Sequence, residues 1–402
     1  MTTTARARAI HARLFNPPNA VPDPGIDLGG KAIAAARALV ERRELDERLL
    51  LNSERARYHQ HSHQHSPPQA VSKAARGGDR ARIEKLIAWA ETKVRRAFRR
   101  FLDDMRSAAV RRQVWVILER DGIEAALRLM DAHIARMGAV LAQVFQFVGT
   151  AEVAAIGRKL RGAHARVAIS FDPTHPRAAE LMRGNRLEFV REMTRAQREA
   201  TSASLIEALR TGAGPTQVAH TLRDSIGLTE AQRRAVSNYR RLLEAGDAAA
   251  LSRDLRDRRF DPSVRRAVED GEPLGAAKIY RMVERYRNRY LQYRAETIAR
   301  TEVQRTVGRA RRESITQVLE QIGEPKESVV RTWVATGDKR TRDTHAEMDG
   351  QQRGLDAPYE SSSGARMMHP GDASLGAPAE ELINCRCTEL YEIVKVSPRS
   401  RS

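Results

Sequence analysis

From residue 276 toward residue 322 the side chains Ile279, Val283, Tyr286, Tyr290, Tyr293 and Thr297 return in alternating steps of four and three. Such spacing puts them on one side of an α-helix and gives its first half a coiled-coil-like seam. One long helix is therefore expected, with neighbours that cover the seam. The tyrosines interleave with Arg281, Arg285, Arg287, Arg289 and Arg294, a pattern that also suits stacking platforms for single-stranded nucleic acid. The seam favours packing, since it directs three of the tyrosines at a neighbouring helix.

Helical period marks the preceding regions too. Ile87, Val94, Phe98, Phe101 and Met105 recur at three-, four- and seven-residue steps. Arg95, Arg96, Arg99 and Arg100 lie on the opposite face and are the candidates for contact with a DNA backbone. A second amphipathic run, roughly 111–157, holds Val114, Leu118, Leu127, Met130, Ile134, Leu141 and Phe145. It is interrupted near Asp121-Gly122 and is expected to pack against the first run as a hairpin. Pro173 and Pro176, within F-D-P-T-H-P, then forbid a continuous helix. Shorter helices follow, one over 187–209 that stops at G-A-G-P, one capped by Thr216 and reaching Ile226, and one capped by Thr229 and reaching Leu243.

The expected fold class is mainly α, with multi-helix N-terminal and middle regions, a long helix and a small C-terminal α+β module. Because 402 residues exceed the usual size of one core, several units are expected. An N-terminal segment at 1–80, partly disordered, ends in a His/Pro-rich linker where His59, His61, His63 and His65 alternate. The linker reads as solvated, with weak capture of zinc or nickel as the alternative. A basic helical hairpin at 81–170, a helical domain at 171–275, and the long helix with the α+β module at 276–402 complete the plan.

A formal charge of +19 attracts polyanions, which makes DNA, RNA or an acidic protein the leading class of partner. With two cysteines one residue apart, a disulfide framework is excluded and a reducing compartment fits. The basic N-terminus has no apolar core of a signal peptide, and no stretch of about 18 apolar residues is evident, so neither secretion nor membrane spanning is expected.

After Gly323 the pattern becomes α+β: 328–335 is β-prone, 341–348 can form a short helix, 387–396 suits a strand, and 351–379 reads as a long loop. Glu302 falls four residues after Ile298 and three after Ala299, on the inward side of the long helix. A carboxylate there is costly without a partner, and Arg342, His345 and Arg386 are the candidates. An ion pair tying the long helix to the terminal unit is the preferred reading, and a general base the alternative. Arg342, His345 and Asp349 share a helical face, and a histidine beside an aspartate can act as an acid–base pair. No serine, cysteine or cofactor loop stands at a matching offset. In an extended chain Cys385 and Cys387 face one way and Arg386 the other. With His345 and His369 they would complete a tetrahedral zinc site. The reading preferred from the sequence is a pair of half-buried thiols with no metal and no cofactor.

Three blocks stand in order: A-R-T-E at 299–302, W-V-A-T-G-D-K-R-T-R-D-T-H-A-E-M-D-G from Trp333, and I-N-C-R-C ending at Cys387. Over roughly 263–394 they resemble the C-terminal module of the phage Mu F-like head morphogenesis proteins. The residues that carry the match are Arg300, Thr301, Glu302, Asp338, Arg340, His345, Asp349, Gly350, Asn384, Cys385, Arg386 and Cys387. The stretch G-L-T-E-A-Q-R-R-A-V-S-N-Y-R-R-L-L from Gly227 is similar to the middle part of minor head proteins.

The resemblance implies a non-enzymatic minor head protein. It would act in procapsid assembly in the host cytoplasm and remain in the virion, inside the capsid near the portal. Portal, scaffold or major capsid protein would be its partners, non-specific double-stranded DNA would be within reach, and neither a membrane nor a small-molecule substrate is implied. Some relatives place extra cysteines or a His-Pro before the N-C-R-C block, a feature suited to metal; Leu382-Ile383 stands there in this chain. Others carry a toxin domain after the module, and none is expected here. Two further readings stay open: a cytoplasmic nucleic-acid-binding protein, and a metal-dependent hydrolase or nuclease that uses Glu302, His345 and Asp349.

Overall fold

A computed structural model describes residues 73–160, 168–210 and 225–394. The alternating histidines of the expected linker and the expected cap Thr216 lie outside them. The helices are α1 (Lys73–Arg106), α2 (Ala108–Asp121), α3 (Ile123–Leu160), α4 (Pro176–Arg210), α5 (Glu230–Glu244), α6 (Asp261–Asp270) and the long α7 (Ala276–Ile322). Local chemistry explains where they break. Gly122 adopts φ 86° between α2 and α3, a conformation open to glycine. Pro176 starts α4, where its missing N–H costs nothing. Thr229 and Gln232 form a capping box on α5, and Gly323, at φ 71°, terminates α7 in a left-handed cap.

Helix α3 runs through the middle of the bundle, against α2, α4 and α7. One apolar core extends from Ala90 to Ala310 and takes in Phe98, Met130, Ile134, Phe145, Tyr239, Tyr286 and Val303, so the 170/171 and 275/276 boundaries both fall within it. The central position accounts for the composition of α3. Glu124–Leu160 is long and apolar enough to cross a membrane by length and composition, contrary to the expectation that no such stretch exists, and half of its most apolar window is buried inside the protein.

The seam on α7 drifts from its expected line. Ile279, Val283 and Tyr286 are buried and Tyr290 is half-buried, but Tyr293 is exposed and Thr297 only half-buried. Arg294, Ala295 and Ala299 take the inward places instead. An α-helix turns once per about 3.6 residues, so a reading in steps of 3.5 moves off the buried face within a few turns unless the helix supercoils. Beyond Thr301 nearly every side of α7 is buried, through to Leu319. There the bundle lies along one side and the C-terminal unit closes over the other.

That unit holds strands β1 (Val329–Val334), β2 (Gln352–Gly354), β3 (Tyr359–Glu360), β4 (Arg366–Met367) and β5 (Thr388–Ile393), with short helices α8 (Asp343–Glu347) and α9 (Ala379–Leu382). A three-stranded antiparallel sheet has the order β2-β1-β5, with Trp333 opposite Glu389, and β3 pairs with β4. Its inner cluster is small: Trp333, Ala335, Met348, Tyr359, Met367, Leu382, Cys385 and Cys387. A second apolar cluster joins Val329 and Leu355 to Val153 and Ile156 of α3 and to Ile315, Val318 and Leu319 of α7, fixing the unit to the bundle.

Candidate functional site at the junction of the long helix and the terminal unit

The A-R-T-E and N-C-R-C blocks meet in space. Asn384 has φ 59°, a left-handed conformation that asparagine tolerates better than most residues, and this turns the chain between α9 and the two cysteines. The Asn384 backbone N–H donates to the Thr301 hydroxyl at 3.2 Å, and Arg300 donates to the Asn384 side-chain oxygen at 3.2 Å. One turn further along α7, the Gln304 amide donates to the Cys387 carbonyl. The sequence reading did not single out Gln304, which stands two residues beyond the block.

Glu302 does not make this connection, which corrects the expected ion pair to the terminal unit. Its carboxylate is buried, as expected, but it faces Arg305 on its own helix at 3.5 Å. Arg305 is shared with Glu188 at 3.3 Å and Glu192 at 3.8 Å of α4. Burial, with those two acids nearby, pushes the Glu302 carboxyl up to about 7 against the pull of Arg305. The three proposed partners are engaged elsewhere: Arg342 donates to the Ile383 carbonyl, Arg386 pairs with Asp338, and the His345 ring lies against Glu381 and the cysteines. Helical register predicts burial, but which element covers a buried face depends on contacts far apart in the chain.

Further charged contacts between α7 and the terminal unit lie two to three turns later. Arg311, fully buried, donates to Glu152 of α3 at 3.1 Å and to the Glu389 carbonyl of β5 at 2.8 Å, and stacks over Tyr391 with its guanidinium carbon 4.8 Å from the ring centre. Arg312 reaches the Leu355 carbonyl and pairs with Asp356 at 2.7 Å. Within the unit, Arg331 points inward from β1, pairs with Glu389 at 3.3 Å and donates to the carbonyls of Gly354, Ala357 and Met368. Its guanidinium lies over Tyr359. A buried arginine survives here because carboxylate, carbonyls and ring satisfy it together.

The remaining motif residues shape the turn after β1. Asp338 accepts the Arg340 backbone N–H at 2.9 Å and holds Arg386 through two bonds of 2.5 Å, a forked pair that keeps the Asp338 carboxyl well below its usual range. Asp349 accepts the Ala335 N–H at 2.8 Å, and Gly350, at φ 79°, donates to the Trp333 carbonyl at 2.9 Å. The face expected to join Arg342, His345 and Asp349 is not kept in the structure. Only His345 lies on the five-residue helix α8; Arg342 is its N-cap and Asp349 stands beyond its C-cap, and the three turn to different partners.

Cys385 and Cys387 do point the same way, with Arg386 opposite, but both are fully buried rather than half-buried. His345 Nδ1 lies 3.7 Å from Cys385 Sγ and 3.5 Å from Cys387 Sγ. The second sulfur and the histidine draw the Cys387 thiol down, while Cys385 is pushed up by the neighbouring sulfur and by burial. The other face of the imidazole is closed by the Glu381 carboxylate, with His345 Nε2 and Glu381 Oε2 2.9 Å apart. Thr344 and Ser363 donate to the two Glu381 oxygens at 3.0 and 2.6 Å. Nothing in the spacing of residues singled out Glu381.

His369 does not join this cluster, which corrects its place in the expected ligand set. It packs into a notch in α7 at Gly308, where an added Cβ would lie 2.2 Å from its Nδ1. Burial lowers its pKa, and Asp372 stands 3.9 Å from its Nε2. On the outer face of α1, Arg96, Arg99 and Arg100 are exposed and Arg95 is half-buried.

Residues 258–390 match a family described as Phage Mu protein F like protein. A curated relative, the NAD(+)--arginine ADP-ribosyltransferase EFV of Enterococcus faecalis, is 34% identical over 110 residues, covering 26% of this chain and 20% of that protein. The chain thus spans about a fifth of the length of the curated relative it matches. No solved structure matches.

Proposed function

We propose, on the premise that residues 258–390 belong to the phage Mu protein F-like family, that the chain works as a structural component in phage head morphogenesis. It is a minor protein of the capsid interior near the portal. It docks on portal, scaffold or coat protein and touches the packaged DNA without reading its sequence. The observation that carries this reading is the use made of the family's residues. Arg300 and Thr301 are spent on Asn384, and Asp338 on Arg386, all of them contacts that hold the terminal unit in place. The alternative reaction centre of Glu302, His345 and Asp349 has no support, because each of the three turns to a different partner.

The +19 charge and the exposed arginines of α1 suit a station beside condensed DNA, where each phosphate contact releases counterions. Mass spectrometry of purified procapsids and mature heads should find the protein, and its absence from both would refute the assignment. Replacing Arg96, Arg99 and Arg100 with alanine should weaken binding of double-stranded DNA of any sequence and reduce the salt dependence by about one unit of slope per lost phosphate contact. ADP-ribosyl transfer is named for the enterococcal protein and is not part of this proposal. The purified chain should transfer nothing from NAD to arginine-containing acceptors.

A further inference from the structure

We propose that His345 Nδ1, Cys385 Sγ and Cys387 Sγ form a zinc(II) site inside the C-terminal unit, with water as the fourth ligand and Glu381 orienting the histidine from behind. This inference stands apart from the role in head assembly and rests on the geometry of one cluster. The three donor atoms lie within 4.8 Å of one another, and all three residues are buried. For zinc–sulfur bonds of about 2.3 Å and zinc–nitrogen bonds of about 2.05 Å at tetrahedral angles, the nitrogen and each sulfur should stand about 3.6 Å apart. They stand 3.5 and 3.7 Å apart. Each separation is one that two ligands of a common ion adopt.

A divalent ion bound to two thiolates leaves the group neutral, which offsets the cost of burying charged sulfur. The imidazole is presented as a metal-binding histidine is presented elsewhere, with its second nitrogen against a carboxylate that fixes the ring. That carboxylate is itself held by Thr344 and Ser363, and the Trp333 indole meets the ring edge-on with centroids 5.4 Å apart.

Two thiolates and one imidazole are a donor set suited to zinc, which needs no redox partner. Binding releases the remaining thiol protons to solvent and oxidises nothing. Depth argues against the other use of a Cys-His-carboxylate group, as a nucleophile, since neither sulfur is open to a substrate. The ion would staple the entry of β5 to α8, and so tie the N-C-R-C block to the turn after β1.

The test uses the full chain produced with supplemental zinc. Plasma mass spectrometry should return one zinc per chain, and the paired Cys385→Ser, Cys387→Ser variant should return none while circular dichroism still reports the helical bundle. Since that variant can lose the terminal unit for other reasons, the unaltered protein supplies a second measurement. Exchange with cobalt(II) should produce a thiolate-to-cobalt charge-transfer band and intense tetrahedral d–d bands, both erased by added zinc. Thiol modification should run severalfold faster after chelation. Zinc far below one per chain together with no thiolate–cobalt band would overturn the site, as would stoichiometric iron or copper in place of zinc.

Discussion

At the centre of the bundle Phe98, Ile134 and Phe145 are surrounded by other apolar side chains, whereas at the same depth in the terminal unit stand Arg331, Glu389 and His345. The bundle buries area and is stabilised in proportion to it, with little demand on orientation. The unit has an inner cluster of eight residues, two of them cysteines, too small to hold seven short elements in place by area alone. Directional contacts do that work: Arg331 to three carbonyls and Glu389, Asp349 to Ala335, and Arg300 and Thr301 to Asn384. The residues that carry the resemblance fall mostly where orientation decides the structure. The bundle tolerates any good apolar packing.

Four substitutions strain this contrast in order of expected size. Phe145→Ala should cost about 3–5 kcal/mol in chemical denaturation, the penalty of a cavity in a close-packed core. A loss below about 1 kcal/mol would mean that the bundle is not a packed core. Glu302→Gln comes next and carries a sign. Folding raises the carboxyl from 4.5 to about 7, so its contribution is complete below pH 4.5 and is lost as pH rises through 7. Glutamine stays neutral throughout, so the variant should match the wild type near pH 4 and exceed it by up to about 3 kcal/mol at pH 8. Destabilisation at pH 8 would instead show that the Arg305 pair outweighs desolvation.

Gly308→Ala should cost about 1–3 kcal/mol by forcing its methyl group onto His369, and His369→Ala in the same chain should recover part of it. Failure of that rescue would break the link between the notch and the loop. The smallest effect belongs to Asp338→Asn. Despite ideal forked geometry the pair is partly exposed, so the loss should be at most about 1 kcal/mol and should shrink in salt.

Local rules made much of the fold legible. The span 276–322 of the long helix, the break at Gly122 and the cap at Thr229 follow from period, glycine and capping chemistry, whereas the helix expected from residue 187 starts earlier, at Pro176. The common face of Cys385 and Cys387 was legible too. What escaped depends on contacts across long separations. Glu302 was expected to be buried and is, but its cover is α4 and not the terminal unit. Arg311, Arg331 and Gln304 read as ordinary polar residues, because nothing local says that a guanidinium or amide will find carbonyls some 23 to 83 residues away. Tyr293 failed for a geometric reason, the gap between steps of 3.5 and a straight helix. Glu381 and the exclusion of His369 from the cysteine cluster required the fold itself.

The claim on which the rest depends is that the A-R-T-E and N-C-R-C blocks form a clasp between the long helix and the terminal unit. A double-mutant cycle of Arg300→Ala and Asn384→Gly tests it most directly, since glycine keeps the left-handed turn while removing the amide. The account predicts a coupling of about 1.5 kcal/mol, the lower end for a hydrogen bond to a charged donor because the contact is only part-buried. Additivity within about 0.3 kcal/mol would mean that the two blocks do not act on each other and would contradict it.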